Sequence, residues 1–214
     1  MSFNKKTIKD IDVAGKKVLV RADYNVPLND KGEITDDYRV QQSVPTVRYL
    51  LDHGAAVILC SHLGRPDGKP NPAYSLFPVA KSLGKLLGTE VEFAPDCVGE
   101  RAEKAAQNLQ PGQVLLLENL RFYAEEQEND TAFAGKLAAP FDVFVMDAFS
   151  ASHRADASTN AIMGILPSFS GALLRREVEM LSAVSEKPES PFVLILGGAK
   201  VSDKIGVVEH LMDK

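Results

Sequence analysis

The chain has 214 residues, of which 45% are hydrophobic and 25% charged, so it can bury the core of a large domain and is not intrinsically disordered. Its 24 Lys and Arg residues stand against 29 Asp and Glu residues, and this net charge of −5 gives no support for a nucleic acid or an anionic membrane as a partner. The apolar runs are far shorter than the ~20 residues of a membrane-spanning helix, and the start, MSFNKKTIKDIDV, has no apolar signal core. We therefore expect a cytoplasmic protein.

Six short apolar runs predict β-strands because they are rich in β-branched residues. They lie at 17–22, Ala56–Cys60, 90–93, Val114–Leu117, Val143–Met146 and 192–196. These runs are apolar on both faces, which suits a parallel sheet covered by helices better than a half-solvated antiparallel sheet.

Stretches with helical spacing of apolar residues alternate with these runs, at 44–53, 76–87, 96–109, 129–138 and Ala172–Glu186. Ser75 is placed to cap the second helix and Gly88 to end it, while Pro45 and Pro78 fall near helix starts. The order strand, helix, strand, helix predicts an α/β fold, a doubly wound three-layer αβα (Rossmann-like) parallel sheet with right-handed crossovers.

The segment PSFSG, at 167–171, interrupts this alternation and suggests a domain boundary. We expect a first domain at 1–170, an interdomain helix and linker at 171–189, and at 190–214 the first strand-helix unit of a second, similar and truncated domain. One such unit cannot bury its own faces without a neighbouring strand.

Polar side chains follow four of the predicted strands, and each turn contains an arginine. The arginines are Arg21, Arg65, Arg121 and Arg154, accompanied by Asp23, Asn25 and His62, and Arg39 is expected to reach the same edge. A single loop arginine is an ordinary surface residue. Several guanidinium groups at one sheet edge repel one another unless an anion lies among them, and their forked donors match phosphate and carboxylate oxygens. The pattern predicts a site for a small phosphorylated and carboxylated metabolite, with Asp23 and Asn25 bonding to its hydroxyl.

The glycine turn near Gly197 matches neither a dinucleotide fingerprint nor a phosphate-binding loop of the Walker type. Lys200 and Lys204, four residues apart at the start of a predicted helix, favour a second phosphate site. A tight turn with two solvated lysines remains an open alternative.

Other site classes find no support in the sequence. Cys60 and Cys97 have no metal-binding spacing, and no hydrolase motif is present. The acidic residues Asp36, Asp37, Glu125 and Glu126 are expected to be helix caps or solvated side chains rather than metal ligands.

Six motifs in a fixed order resemble the bacterial phosphoglycerate kinase family over essentially the whole chain. They are KKVLVRADYNVPL, ITDDYRV, CSHLGRP, LLENLRFY, VFVMDAFSASHRADAS and LGGAKVSDKI. The resemblance implies a monomeric glycolytic transferase with two domains, which moves a phosphoryl group reversibly between Mg-ATP and the carboxylate of 3-phosphoglycerate. It departs from the family pattern at Ser150 and Ala151, where a glycine and a threonine are expected.

The resemblance also implies residue roles. The substrate would be bound by Asp23, Asn25, Arg39, His62, Arg65, Arg121 and Arg154. Arg39, Lys200 and Lys204 would act on the transferring phosphoryl group, and Gly198, Lys200 and Lys204 would line a site for Mg-ATP or Mg-ADP that is incomplete in this chain. We expect the chain alone to bind substrate without turnover, and a non-catalytic module that binds phosphorylated metabolites is the alternative.

Overall fold

The computed structural model of the protein describes residues 5–186, 190–195, 197 and 205–212. The strands in this part of the chain are β1 Lys17–Arg21, β2 Ala56–Cys60, β3 Val91–Ala94, β4 Val114–Leu117, β5 Val143–Met146 and β6 Ser168–Ser170. Its α-helices are α1 Tyr38–Asp52, α2 Phe77–Leu87, α3 Glu100–Asn108, α4 Ala124–Gln127, α5 Thr131–Ala138, α6 Ala172–Glu186 and α7 Ile205–Met212.

The six strands form one parallel sheet in the order β3-β4-β2-β1-β5-β6, which confirms the predicted α/β fold. The chain runs from β1 to β3 in one direction, turns back to β4 and then crosses to β5 and β6 on the other side of β1. With right-handed crossovers, a reversal of direction moves the connecting helices to the other face of the sheet.

Two hydrophobic cores follow from this winding, one on each face of the sheet. Val18 and Val20 of β1 belong to the core that contains α1 and α2, whereas Leu19 belongs to the core that contains α3 and α5. Successive strand residues point to opposite faces, so a strand covered on both sides must be apolar throughout. This is the reason that the sequence shows continuous apolar runs.

Several boundaries differ from those predicted. Helix α1 begins at Tyr38, so Pro45 lies inside the helix and not near its start. A proline inside a helix removes one backbone hydrogen bond, and the burial of residues such as Val47 and Leu50 on the sheet compensates for this loss. The short helix α4 was not predicted.

The ends of α2 show one wrong and one confirmed expectation. Ser75 is not the N-cap residue, because the helix starts after Leu76, whose amide donates to Glu118 Oε1 at 2.8 Å. Gly88 does end the helix, in the left-handed conformation at φ 72° that glycine adopts without strain.

The end of the sheet also differs from the sequence prediction. The segment read as a boundary contains β6, which pairs with β5 from Phe144 opposite Ser168 to Met146 opposite Ser170. Residues 192–195, predicted as a strand, form none, and the side chains of Val193 and Ile195 are 74% and 89% exposed. The chain divides into two compact units, the larger of which is Lys5–Leu174. Within the residues that the structure describes, no helix is long and apolar enough to cross a membrane.

Candidate functional site

The four strands that precede the arginine-bearing turns are neighbours in the sheet, in the order β4-β2-β1-β5. Because the strands are parallel, their carboxyl ends lie at the same edge. Two hydrogen bonds extend the ladder past the strands, from Ala22 N to Cys60 O at 3.1 Å and from Asp147 N to Arg21 O at 3.0 Å. The predicted convergence of these turns at one sheet edge is therefore confirmed.

Asp23, in the turn after β1, accepts three hydrogen bonds at this edge. Its Oδ1 accepts the Asn25 amide at 3.0 Å, and its Oδ2 accepts both Arg39 Nη1 and the Ser150 hydroxyl. The side chain of Asp23 is 10% exposed, whereas that of Arg39 is 46% exposed. Asp23 thus binds one nitrogen of a guanidinium group whose side chain is about half exposed.

A chain of hydrogen bonds joins the turns after β1, β2 and β4. Asn25 Oδ1 accepts the Gly64 amide at 2.9 Å, and the Gly64 carbonyl accepts Arg121 Nη1 at 3.0 Å. Gly64 has φ 62°, and a Cβ at this position would lie 2.4 Å from the Tyr74 ring, so the close approach requires glycine. The backbone amide of Asn25 already donates to Asp23, whereas its side-chain Nδ2 has no partner among the described residues and is left to donate to a ligand.

His62 is held as a neutral hydrogen-bond donor. Its side chain is almost completely buried, and Nδ1 lies 3.0 Å from Arg21 Nη2. Arginine can only donate, so Nδ1 must accept and the ring proton belongs on Nε2. Burial, together with the guanidinium groups of four arginines, lowers the pKa of His62 to about 2. In order of effect, these arginines are Arg21, Arg121, Arg154 and Arg39.

Arg21 differs from the other arginines because it is fully buried and does not face the site. Its Nε donates to Ser158 Oγ at 2.8 Å, and Ser158 Oγ in turn donates to Glu126 Oε1 at 2.5 Å. Burial raises the pKa of Glu126, and the charge of Arg21 partly opposes that rise. The expectation that Arg21 joins the anion site is wrong, as is the expectation that Glu126 is a cap or a solvated side chain. The two form a buried charge pair that is bridged by Ser158.

Arg121 differs from Arg21, because one of its buried donors has no hydrogen-bond partner among the described residues. The residue is 5% exposed, and its Nε makes no hydrogen bond to any residue that the structure describes. Burial lowers the pKa of Arg121, and the neighbouring charge of Arg154 adds to this effect. A buried, unpaired N–H is costly, and a bound anion would satisfy it.

The structure brings together most of the predicted substrate residues, but it leaves some apart or undescribed. The charges of Arg39, Arg121 and Arg154 all act on His62, and the charge of Arg154 also acts on Arg121. Arg65 follows β2 at the same edge, but it is exposed and makes no hydrogen bond within the described residues. Gly198, Lys200 and Lys204 lie outside the described residues.

Sequence reasoning missed Ser150 as a partner of Asp23. Ser150 lies in the turn after β5 that also contains Arg154, and this shared turn was the signal that could have placed it at the site. No group of three or more His, Cys, Asp or Glu residues that could hold a metal ion occurs in the described ranges. Cys60 and Cys97 are both buried as free thiols, and burial raises the pKa of Cys60 to about 12.

Comparison with known proteins gives one consistent result. The family profile described as phosphoglycerate kinase matches residues 8–214. The chain is 54% identical to the phosphoglycerate kinase of Desulforudis audaxviator over 210 residues, which are 98% of this chain and 53% of that protein. It is also 54% identical to the phosphoglycerate kinase of Chloroflexus aurantiacus over 214 residues, which are 99% of this chain and 54% of that protein.

Solved structures of phosphoglycerate kinases agree with these sequence matches. The Coxiella burnetii structure gives a TM-score of 0.85 at 39% identity, covering 98% of this chain and 52% of that one. The Pyrococcus horikoshii structure gives a TM-score of 0.88 at 35% identity, covering 97% and 52%. The chain spans about half the length of the curated relatives it matches.

Proposed function

Since this chain belongs to the phosphoglycerate kinase family, we propose that the edge described above binds 3-phosphoglycerate. The reaction served by this site is the reversible transfer of a phosphoryl group between ATP and the carboxylate of 3-phosphoglycerate, which gives 1,3-bisphosphoglycerate and ADP. Such transfer depends mainly on alignment and positive charge and requires no covalent intermediate on the protein.

The observation that carries the proposal is the buried Nε of Arg121, which has no hydrogen-bond partner in the part of the chain that the structure describes. This buried donor lies beside the charge of Arg154 and beside the neutral His62, which has a donor at Nε2. Phosphate oxygens match such a set of donors, because guanidinium groups bind them through paired N–H bonds. We assign the phosphate of the ligand to His62, Arg121 and Arg154, and we add Arg65 as an exposed contact from the same edge.

The other end of the ligand is assigned to the turn after β1. Asp23 and Asn25 supply an acceptor and a donor for its hydroxyl, and Asn25 is already fixed through its bond to Gly64. Arg39 is held at one nitrogen by Asp23 and is half exposed, so its remaining donors can reach the transferring phosphoryl group.

The nucleotide side of the reaction is proposed for the end of the chain. Gly198, Lys200 and Lys204 would contact Mg-ATP or Mg-ADP there, with the two lysines neutralising phosphate charge. We propose residues 1–170 as the substrate domain, 171–189 as the junction and 190–214 as the first unit of the nucleotide domain. We further propose that the two-domain enzyme is a cytoplasmic monomer and that the 214 residues bind 3-phosphoglycerate without turnover by themselves.

Calorimetric titration of the 214-residue chain with 3-phosphoglycerate tests the binding proposal. We expect binding that weakens as salt is added, and a loss of affinity of about tenfold or more in Arg121→Met, since one charge-assisted hydrogen bond contributes that much. Arg101→Met, at an exposed position in α3, is the matched control and should bind like the unaltered chain. A folded sample that binds no 3-phosphoglycerate would contradict the proposal.

A second titration separates the kinase from a non-catalytic binding module. Because the nucleotide site is incomplete in this chain, the kinase assignment predicts only weak binding of Mg-ADP, through its phosphates, that is lost in Lys204→Ala, whereas a module for phosphorylated metabolites alone would bind no nucleotide. In a coupled assay with Mg-ATP and 3-phosphoglycerate, we expect no turnover by this chain. Appreciable turnover would show that the described residues carry more of the catalytic apparatus than we assign to them.

A further inference from the structure

Ser150 donates a hydrogen bond to Asp23, the carboxylate that is proposed to accept the hydroxyl of the ligand. Its Oγ donates to Asp23 Oδ2 at 2.5 Å, the same oxygen that accepts Arg39 Nη1. The two residues are 127 positions apart in the chain, and the meeting of the turns after β1 and β5 brings them together.

The hydrogen-bonding capacity of Asp23 is nearly exhausted by protein groups. An ionised carboxylate offers about four lone-pair sites. The Asn25 amide, Arg39 and Ser150 account for three of them. Because the side chain is 10% exposed, little open surface remains through which a fourth donor can approach.

The backbone conformation of the turn fixes the position of Ser150. It lies in a 3-10 turn, Phe149–Ala151, in which the Ala151 amide donates to the Ala148 carbonyl at 3.0 Å. Ala151 is buried and anchors the turn, while Ser150 itself is exposed at the edge of the site. The turn therefore places the hydroxyl within reach of Asp23 without any help from a ligand.

We propose that Ser150 is a specificity-determining residue, whose hydroxyl occupies the Asp23 acceptor in competition with the hydroxyl of the ligand. This inference rests on the proposed function, because it takes Asp23 as the acceptor for that hydroxyl. A ligand that donates to Asp23 must displace or crowd the Ser150 bond, so it gains less from its hydroxyl than it would without Ser150. A phosphorylated carboxylate that lacks the hydroxyl does not compete and binds equally well in either case.

The test compares two ligands that differ only in this hydroxyl, 3-phosphoglycerate and 3-phosphopropionate. Their affinities are measured by calorimetry for the unaltered chain, Ser150→Ala and Ser150→Gly. We expect both variants to bind 3-phosphoglycerate about five- to tenfold more tightly, as one charge-assisted hydrogen bond allows, with the affinity for 3-phosphopropionate unchanged. The selectivity ratio between the two ligands rises by the same factor.

Ser152→Ala is the matched control. Ser152 is an exposed residue of the same turn, but its hydroxyl donates to the Phe149 carbonyl at 2.7 Å and not to Asp23. Its removal should leave the selectivity ratio where it is. Circular dichroism of each variant verifies that it is folded, and the alanine and glycine variants at position 150 test the same prediction independently.

The outcomes separate this inference from the proposed function. An unchanged or reduced selectivity ratio in folded Ser150 variants, with 3-phosphoglycerate still bound, would overturn the role of Ser150 and leave the proposed function standing. If the unaltered chain binds neither ligand, the proposed function itself fails, and the inference that rests on it fails with it.

Discussion

Two buried ionisable groups at the sheet edge should make opposite contributions to stability as pH changes. Burial and the nearby arginines lower the pKa of His62 to about 2. Burial raises the pKa of Asp147 to about 7, although the Thr46 hydroxyl and the amides of Leu174 and Leu173 partly oppose the rise. Asp147 follows β5, and its Oδ1 accepts the two amides at 2.9 and 3.2 Å at the start of α6.

The signs follow from the number of protons that each state binds. Below its usual pKa of 6.5, His62 is protonated in the unfolded chain but neutral in the folded one, so its contribution to the free energy of unfolding falls as pH falls. Asp147 is ionised in the unfolded chain above its usual pKa of 3.8 but stays protonated in the folded one up to about 7. Its contribution therefore falls as pH rises. Each amounts to about 2 kcal/mol between pH 4.5 and 6.5, at about 1.4 kcal/mol per unit of pH.

Replacing one group at a time exposes the contribution of the other. His62→Gln keeps an acceptor for Arg21, and Asp147→Asn keeps an acceptor for the α6 amides, so both variants should fold. The free energy of unfolding would be measured by urea denaturation, followed by circular dichroism, from pH 4.5 to 6.5. From pH 4.5 to 6.5, the free energy of unfolding of His62→Gln should rise by about 2 kcal/mol less than that of the unaltered chain. That of Asp147→Asn should rise by about 2 kcal/mol more. Two variants whose profiles run parallel to that of the unaltered chain would refute the reasoning.

Two further substitutions test the buried pair and the tight turn. Arg21→Met removes the positive charge that opposes the raised pKa of Glu126 and the Nε donor bonded to Ser158, so we expect a loss of about 3–5 kcal/mol in the free energy of unfolding, and no loss would contradict the pairing. Gly64→Ala puts a Cβ 2.4 Å from the Tyr74 ring at φ 62°, whereas Gly15→Ala, at φ 70°, meets nothing within 4 Å. Urea denaturation should give a cost of about 1–2 kcal/mol for the Gly15 variant, from the backbone alone, and a larger cost for the Gly64 variant.

The fold could be read from the sequence because its signal is periodic and local. A strand buried on both faces must be apolar along its length, and all five runs predicted up to residue 146 are strands. Strand β6 was not predicted because SFS is short and two of its three residues are serines. The acceptor at the start of α2 was not predicted for a different reason, because Glu118, which accepts the Leu76 amide, lies 42 residues away in the chain. Contacts of that separation depend on the folded sheet and leave no mark on the local pattern.

The candidate site was predictable as a set of residue types but not as a set of roles. Parallel strands place their turns at one edge, so the convergence of Arg39, Arg121 and Arg154 near His62 follows from topology. Whether an arginine faces a ligand or is buried depends on the neighbours that it meets in three dimensions. Arg21 meets Ser158, 137 residues away, and so becomes part of the protein interior.

The burial of Arg21 has a consequence for how the site carries charge. A histidine among arginines could in principle add a positive charge that varies with pH, because its usual pKa lies near neutrality. Arg21 donates a hydrogen bond to Nδ1 of His62, and burial together with four guanidinium groups disfavours a second proton on the ring. The positive charge of the site therefore resides on arginines, which keep it throughout the physiological range, while His62 contributes a neutral donor of fixed direction. An anion bound at this edge would meet the same arginine charges and the same His62 donor throughout the physiological range.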